Sequence, residues 1–192
     1  AGGVPVVIKA GIEQDFKVTA QQIADAITPK TKAIMICSPS NPTGSVYTYD
    51  NLKAIVEVLK KHPQIIVLAD EIYQHILYTG KHETLAQFPE LQDRLIIING
   101  VSKAYAMTGY RIGWLASHDK EFITAVKRLQ GQTISCATTI AQKAAEAAYS
   151  GPQDCVEQMR QAFERRRDLI LGLAREISGM KVLEPQGAFY LF

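Results

Sequence analysis

Cysteine is scarce in this chain, with three residues in 192: Cys37, Cys136 and Cys155. They are odd in number and far apart, which excludes a disulfide framework. They read instead as buried or half-buried thiols of a reducing compartment. Neither sign of charge dominates: 21 Lys and Arg stand against 19 Asp and Glu, a net charge of +2. That balance is too mild to point to nucleic acid or to an anionic membrane as a partner. No apolar run approaches the roughly 20 residues that cross a bilayer. The opening Ala1-Gly2-Gly3-Val4-Pro5 lacks the basic and apolar regions of a secretion signal. The four histidines, His62, His75, His82 and His118, show no metal-ligand spacing with one another or with the cysteines, so no metal is expected. The phosphate-binding Gly-rich loops and the Gly-x-Ser-x-Gly nucleophile elbow are absent. Proline in Asn41-Pro42-Thr43 bars N-glycosylation there. The expectation is a soluble, cytoplasmic protein.

What the chain does have is an ordinary globular composition, 47% hydrophobic and 21% charged, enough for one domain and at most two. Short apolar, β-branched runs at residues 4–8, 33–37, 65–69, 95–98 and 112–116 are continuously apolar, as strands covered on both faces are. Helical patterns separate them. Thr19 and Gln22 form a capping box for a helix reaching about Ile27. Leu52, Ile55, Val56 and Leu59 repeat at helical spacing up to a stop at Pro63. This rhythm predicts an α/β fold: a mostly parallel sheet with helices on both faces. Beyond Ala116 the pattern turns helical. Phe122, Ile123, Val126 and Leu129 share a face, Thr139 and Gln142 cap a second helix that Gly151-Pro152 stops, and residues 153–177 form a long amphipathic helix. Its Arg165-Arg166-Arg167 run reads as a solvated face flanked by Glu164 and Asp168.

Three segments carry polar groups suited to one ligand. Gly100-Val101-Ser102-Lys103 is followed eight residues after the lysine by Arg111. Upstream lie Asn41-Pro42-Thr43-Gly44 and Asp70-Glu71-Ile72-Tyr73. A lysine beside a hydroxyl, one loop from an arginine, suits a phosphorylated aldehyde: the amine forms a Schiff base while Ser102 and Arg111 grip the phosphate. An amine sheltered from water and near other cations gives up its proton readily and becomes a nucleophile. Asp70 offers a carboxylate to a protonated ring nitrogen, and Tyr73 and Asn41 offer hydrogen bonds to a phenolic oxygen. Each residue also has a plainer reading. Lys103 alone is a solvated lysine, Asp70 a turn cap, Tyr73 core packing, Asn-Pro-Thr-Gly a good turn sequence, and Arg111 a surface ion pair. The plain readings do not explain why Asn41, Asp70 and Ser102-Lys103 all follow the carboxyl ends of predicted strands, where α/β sheets bind ligands.

Gly100-Val101-Ser102-Lys103 through Arg111-Ile112-Gly113, Ser38-Pro39-Ser40-Asn41-Pro42-Thr43-Gly44 and Asp70-Glu71-Ile72-Tyr73 together resemble the signatures of the class I aminotransferases, pyridoxal-phosphate enzymes of fold type I. The resemblance runs along the whole chain. It implies that Lys103 carries the cofactor, Asp70 meets its pyridine nitrogen, Asn41 and Tyr73 meet its phenolic oxygen, and Ser102 and Arg111 hold its phosphate, with Lys103, Asp70 and Tyr73 as the catalytic groups. Met107-Thr108-Gly109-Tyr110-Arg111-Ile112-Gly113 and Thr139-Ile140-Ala141-Gln142 are similar to the bacterial aspartate aminotransferases, some of which also accept prephenate or aromatic amino acids. Cys136-Ala137 departs from a proline common there. By the resemblance, residues 1–165 belong to the cofactor-binding large domain and 166–192 are a connecting helix and the start of a small domain, with Gly187-Ala188-Phe189-Tyr190 leading into it. The chain then reads as a fragment without the first phosphate loop, the ring-stacking aromatic and the arginine for the substrate α-carboxylate. The implied partners are an amino acid, aspartate or glutamate first, a 2-oxo acid and a second subunit. Three other readings remain: an aromatic or prephenate aminotransferase, a carbon-sulfur lyase or cyclopropane-forming synthase of the same fold, and a non-enzymatic ligand-sensing domain of a transcription regulator.

Overall fold

A computed structural model describes residues 2–192. Its sheet has four strands in the order β1 (Ala33–Cys37), β2 (Ile66–Asp70), β3 (Leu95–Gly100) and β4 (Gly113–Ala116). The first three are parallel and β4 is antiparallel to β3, so the sheet is mixed and mostly parallel, as the alternating pattern predicts. The reversal at β4 follows from its connection. Residues 101–112 hold only a short 3-10 turn, Thr108–Tyr110, and a parallel return needs a longer crossover. The strand expected at residues 4–8 does not form. Val4, Val6 and Val7 are 88%, 73% and 81% exposed. Pro5 removes one backbone donor, and no neighbouring strand accepts the others.

Helix α1 (Ala20–Ala26) opens on the expected capping box: the Thr19 side chain accepts from the Gln22 N–H, and Gln22 Oε1 accepts from the Thr19 N–H at 2.9 Å. Helix α2 (Tyr49–Leu59) is capped in the same way by Thr48 and Asn51. Its Leu52, Ile55, Val56 and Leu59 are at most 1% exposed. They pack with Ile23, Val67, Ala69, Leu91 and Leu95 into the main core, joined by Ile34 and Ile36. The helix ends at Leu59, before Pro63, and Arg94 covers its last carbonyl and two beyond it. The guanidinium donates to the carbonyls of Leu59, at 2.8 Å, His62 and Ile65, supplying donors that a helix end otherwise lacks.

Alternation along the strands puts Ile34, Ile36, Val67 and Ala69 on the core side and Met35 and Ile66 on the other. Met35 is 62% exposed and Ile66 40%, so within this chain α1 and α2 cover one face and the second stays open at these positions. Helix α3 (Lys120–Thr133) is capped by Asp119, which accepts from the Phe122 N–H at 2.9 Å. None of its residues is buried, so its apolar face finds no full cover. Helix α4 (Thr139–Ser150) starts beside Thr138, whose side chain makes no capping bond. The predicted Thr139–Gln142 cap is replaced by the Gln142 amide donating to the Ala137 carbonyl at 2.7 Å. Helix α5 (Asp154–Arg175) matches the long amphipathic pattern. Arg167 departs from the solvated reading of its run: its guanidinium lies 4.8 Å from the Tyr78 ring centroid and donates to the Pro185 carbonyl at 3.1 Å. The cysteines are free, but only Cys37 is half-buried; Cys136 and Cys155 are exposed, contrary to expectation. Among the described residues no helix is long and apolar enough to cross a membrane.

Candidate active site

The carboxyl ends of β1, β2 and β3 deliver the predicted groups. Cys37 ends β1 opposite Asp70, which ends β2. The chain after β1 is tied down at once: the Ser38 N–H donates to the Asp70 carbonyl at 3.1 Å, and buried Ser38 Oγ accepts from the Tyr47 N–H at 3.1 Å. Between these anchors the loop carrying exposed Asn41 turns at Gly44, whose φ of +70° favours glycine. A Cβ there would sit 2.6 Å from Pro185 Cβ.

Asp70 Oδ1 accepts from the Ile72 N–H at 3.2 Å, which leaves its second oxygen for another donor. The following turn places Tyr73 one helical step on, 2% exposed. Glu71 faces away, as expected. It is buried, accepts from Thr84 Oγ1 at 2.6 Å and lies 3.1 Å from His82 Nε2.

Gly100 and Gly113 are register partners at the ends of β3 and β4. A Cβ on Gly100 would lie 2.8 Å from Gly113 Cα, so only glycine allows this approach. Ser102, Lys103 and Arg111 therefore leave the sheet from one point. Lys103 Nζ lies 5.8 Å from the Tyr73 ring centroid and 5.7 Å from that of Phe189. Both are aromatic faces, which attract a cation. Arg111 is exposed in a left-handed backbone conformation, and its guanidinium donates to the Thr108 carbonyl at 2.9 Å. Asn41 and Lys103 thus both reach Tyr73, and Asp70 heads the turn that carries it. Ser102 and Arg111 share only the Gly100–Gly113 junction.

The sequence reading missed Phe189 and Tyr190. The N–H groups of Gln186 and Gly187 both donate to the Gly44 carbonyl, Tyr78 N–H donates to the Gln186 carbonyl at 2.8 Å, and Ala188 N–H donates to the Ile76 carbonyl at 2.8 Å. These bonds pin the C-terminal segment between the Asn41 loop and the Tyr73 turn. Tyr190 then meets Tyr73 hydroxyl to hydroxyl at 2.6 Å, and Phe189 packs edge-on to Tyr73 at 5.3 Å. The only sequence signal was the Gly-Ala-aromatic-aromatic pattern, which carries no address in space.

Burial holds the Tyr73 phenol above its ordinary pKa, while the Asn41 side chain pulls the other way. Burial likewise raises the Cys37 thiol, opposed by the Asn41 N–H and reinforced by the Asp70 charge. A neutral buried phenol, an amine over aromatic faces and a carboxylate with a free oxygen can together hold an aromatic heterocycle bearing a hydroxyl and an aldehyde. A cleft of about 510 Å³ lies next door between α5 and the C-terminal segment. Phe189 and Tyr190 line it, but none of the six predicted site residues does.

The family model for aminotransferase class I and II matches residues 1–192. The chain belongs to this family. It is 52% identical over its whole length to an aspartate aminotransferase of Geobacillus stearothermophilus, of which it covers 49%. It is 46% identical to an aspartate/prephenate aminotransferase of Cereibacter sphaeroides, of which it covers 48%. The crystal structure of an aspartate aminotransferase from Rhizobium meliloti superposes with a TM-score of 0.94 at 42% identity, over 97% of this chain and 47% of that one. The chain spans about half the length of the curated relatives it matches. Membership of the aminotransferase family implies pyridoxal phosphate as cofactor, and the donor set just described suits it.

Proposed function

We propose that this chain is the cofactor-binding part of a longer pyridoxal-phosphate-dependent aminotransferase that moves an amino group between aspartate or glutamate and a 2-oxo acid. The convergence of Asn41, Asp70, Tyr73 and Lys103 carries the reading. In it Asp70 faces the pyridine nitrogen, Asn41 and Tyr73 face the phenolic oxygen, and Ser102 and Arg111 hold the phosphate. When bound, the cofactor supplies an aldehyde carbon and a ring that withdraws electrons. Lys103 would hold it covalently through its amine, and the same amine, when free, would serve to carry a proton. The Asp70 carboxylate steadies positive charge on the ring nitrogen. The Tyr73 phenol, protonated at neutral pH, would donate to the phenolic oxygen. Arg111 leaves the Thr108 carbonyl to make a two-pronged contact with phosphate, a geometry that lysine does not copy.

Residues 1–165 form the large-domain portion in this reading and 166–192 lead toward a small domain. Helix α5 runs unbroken across that boundary as a rigid connector. The working enzyme is a cytoplasmic homodimer. The dicarboxylic preference rests on the names of the relatives; the aspartate/prephenate relative keeps an aromatic preference as the second reading. Borohydride reduction of the cofactor-loaded full-length polypeptide, followed by peptide mapping, tests the attachment. The label is expected on Lys103, and Lys103→Ala is expected to abolish transamination. Label on another lysine refutes the assignment.

A further inference from the structure

Tyr73 is held by more than its own turn. Its ring meets Phe189 and Tyr190 edge-on at 5.3 and 5.8 Å, and its hydroxyl lies 2.6 Å from that of Tyr190, 117 residues away in sequence. That separation is at the short end for two hydroxyls. The segment that brings Tyr190 there is fixed by backbone bonds to Gly44 and Ile76. Gly187 admits it: a Cβ would lie 2.8 Å from Pro39 Cβ and 2.9 Å from the Ile76 carbonyl oxygen. The groups that act on Tyr73 are Cys37, Asn41, Lys103 and Tyr190.

We propose that Tyr190 is a positioning residue: its hydroxyl occupies one hydrogen-bonding site of the Tyr73 phenol and so directs the Tyr73 proton at the cofactor's phenolic oxygen. This rests on the cofactor reading above. A phenol has one proton and accepts through its lone pairs. When Tyr190 donates to Tyr73, the Tyr73 proton is free for a third oxygen, and the ring contacts with Phe189 and Tyr190 keep the phenol from swinging away. Burial favours the protonated phenol, the form that a donor needs.

The test uses the full-length polypeptide with Tyr190→Phe, which removes the hydroxyl and keeps the ring. In the cofactor-free protein, Tyr73 ionisation is read as the difference in tyrosinate absorbance against a Tyr73→Phe counterpart. Its midpoint is expected to rise, because the tyrosinate loses the hydrogen bond that Tyr190 donates to it. In the loaded protein, cofactor dissociation is expected to strengthen about threefold to tenfold, the size of one hydrogen bond, with an unchanged melting temperature. The double variant is expected to match Tyr73→Phe alone, since Tyr190 acts only through Tyr73. An unchanged or lower Tyr73 midpoint, or effects that add in full, overturns the proposal. A parent protein that binds no cofactor at Lys103 overturns the site reading itself, while the cofactor-free titration separately decides whether the two tyrosines are linked.

Discussion

Gly100→Ala tests whether the junction of β3 and β4 builds the site. The added Cβ would stand 2.8 Å from Gly113 Cα and 3.1 Å from the Ile112 carbonyl oxygen. Both are backbone atoms of the partner strand, so no side chain can rotate out of the way. The two strands must part locally, at the register pair that closes the sheet. Overpacking of this kind costs about 1–3 kcal/mol, and one weakened ladder bond adds roughly 0.5–1.5 kcal/mol. The expected loss is thus about 2–4 kcal/mol. It is measured as a lower denaturant midpoint with an unchanged slope, because the same surface is exposed on unfolding. The control is Gly109→Ala in the same connection, where a Cβ meets nothing within 4 Å; it should leave the midpoint nearly unchanged. Ser102, Lys103 and Arg111 stand within three residues of the junction, so cofactor retention should weaken with Gly100→Ala and not with Gly109→Ala. A Gly100→Ala protein as stable and as well loaded as its parent refutes the reasoning, since the junction would then have slack that the distances deny.

Asp70→Asn should leave the fold and most of the bound cofactor in place. Loss of the charge-assisted partner, about 1.5–3 kcal/mol, should cut turnover at least tenfold to a hundredfold in steady-state assays, and near-normal turnover would return Asp70 to the role of a turn cap. Arg111→Lys should raise the dissociation constant for pyridoxal phosphate in equilibrium dialysis through loss of the two-pronged contact; unchanged affinity would leave Arg111 as a surface group bonded to Thr108. In a donor screen on the full-length polypeptide, aspartate should exceed phenylalanine in kcat/KM by about 1–3 kcal/mol, the cost of leaving a cation that pairs with the distal carboxylate without its partner, roughly fivefold to a hundredfold. A clear win for phenylalanine or tyrosine would install the aromatic reading, and release of sulfide would install the lyase.

Much of this arrangement is legible in the sequence because it is local. The capping pairs Thr19–Gln22 and Thr48–Asn51 act across three residues, and the α2 stripe from Leu52 to Leu59 is a matter of period. The ends of β1 and β2 fall where their apolar runs stop, so Asn41 and Asp70 are placed by counting. Signals fail where a partner must be supplied. Residues 4–8 have the composition of a strand and no neighbour to pair with among the described residues. The apolar face of α3 is a sound pattern with nothing to bury it. Arg94 closes α2 from 35 residues away, and no rule of helix termination contains that. The same blindness hid Tyr190, whose role comes from a backbone path through Gly44 and Ile76.

The structure therefore has two parts joined by distant contacts. The main core, from Ile23 to Leu95, is made of sheet and helices adjacent in sequence. The small cluster of Tyr73, Ile76 and Ala188 exists only once the C-terminal segment has returned across more than a hundred residues. Closing so long a loop costs conformational entropy before its contacts repay it. The site should accordingly be the less stable part, able to open while the core persists. Substitutions at Gly187 or Tyr190 would then release cofactor without unfolding α2 and the sheet, whereas those at Ile55 or Val67 would lose both together. Hydrogen exchange separates the cases: the Ala188 N–H should exchange well before the N–H groups of β2, and equal protection would mean that the site and the core open as a single unit.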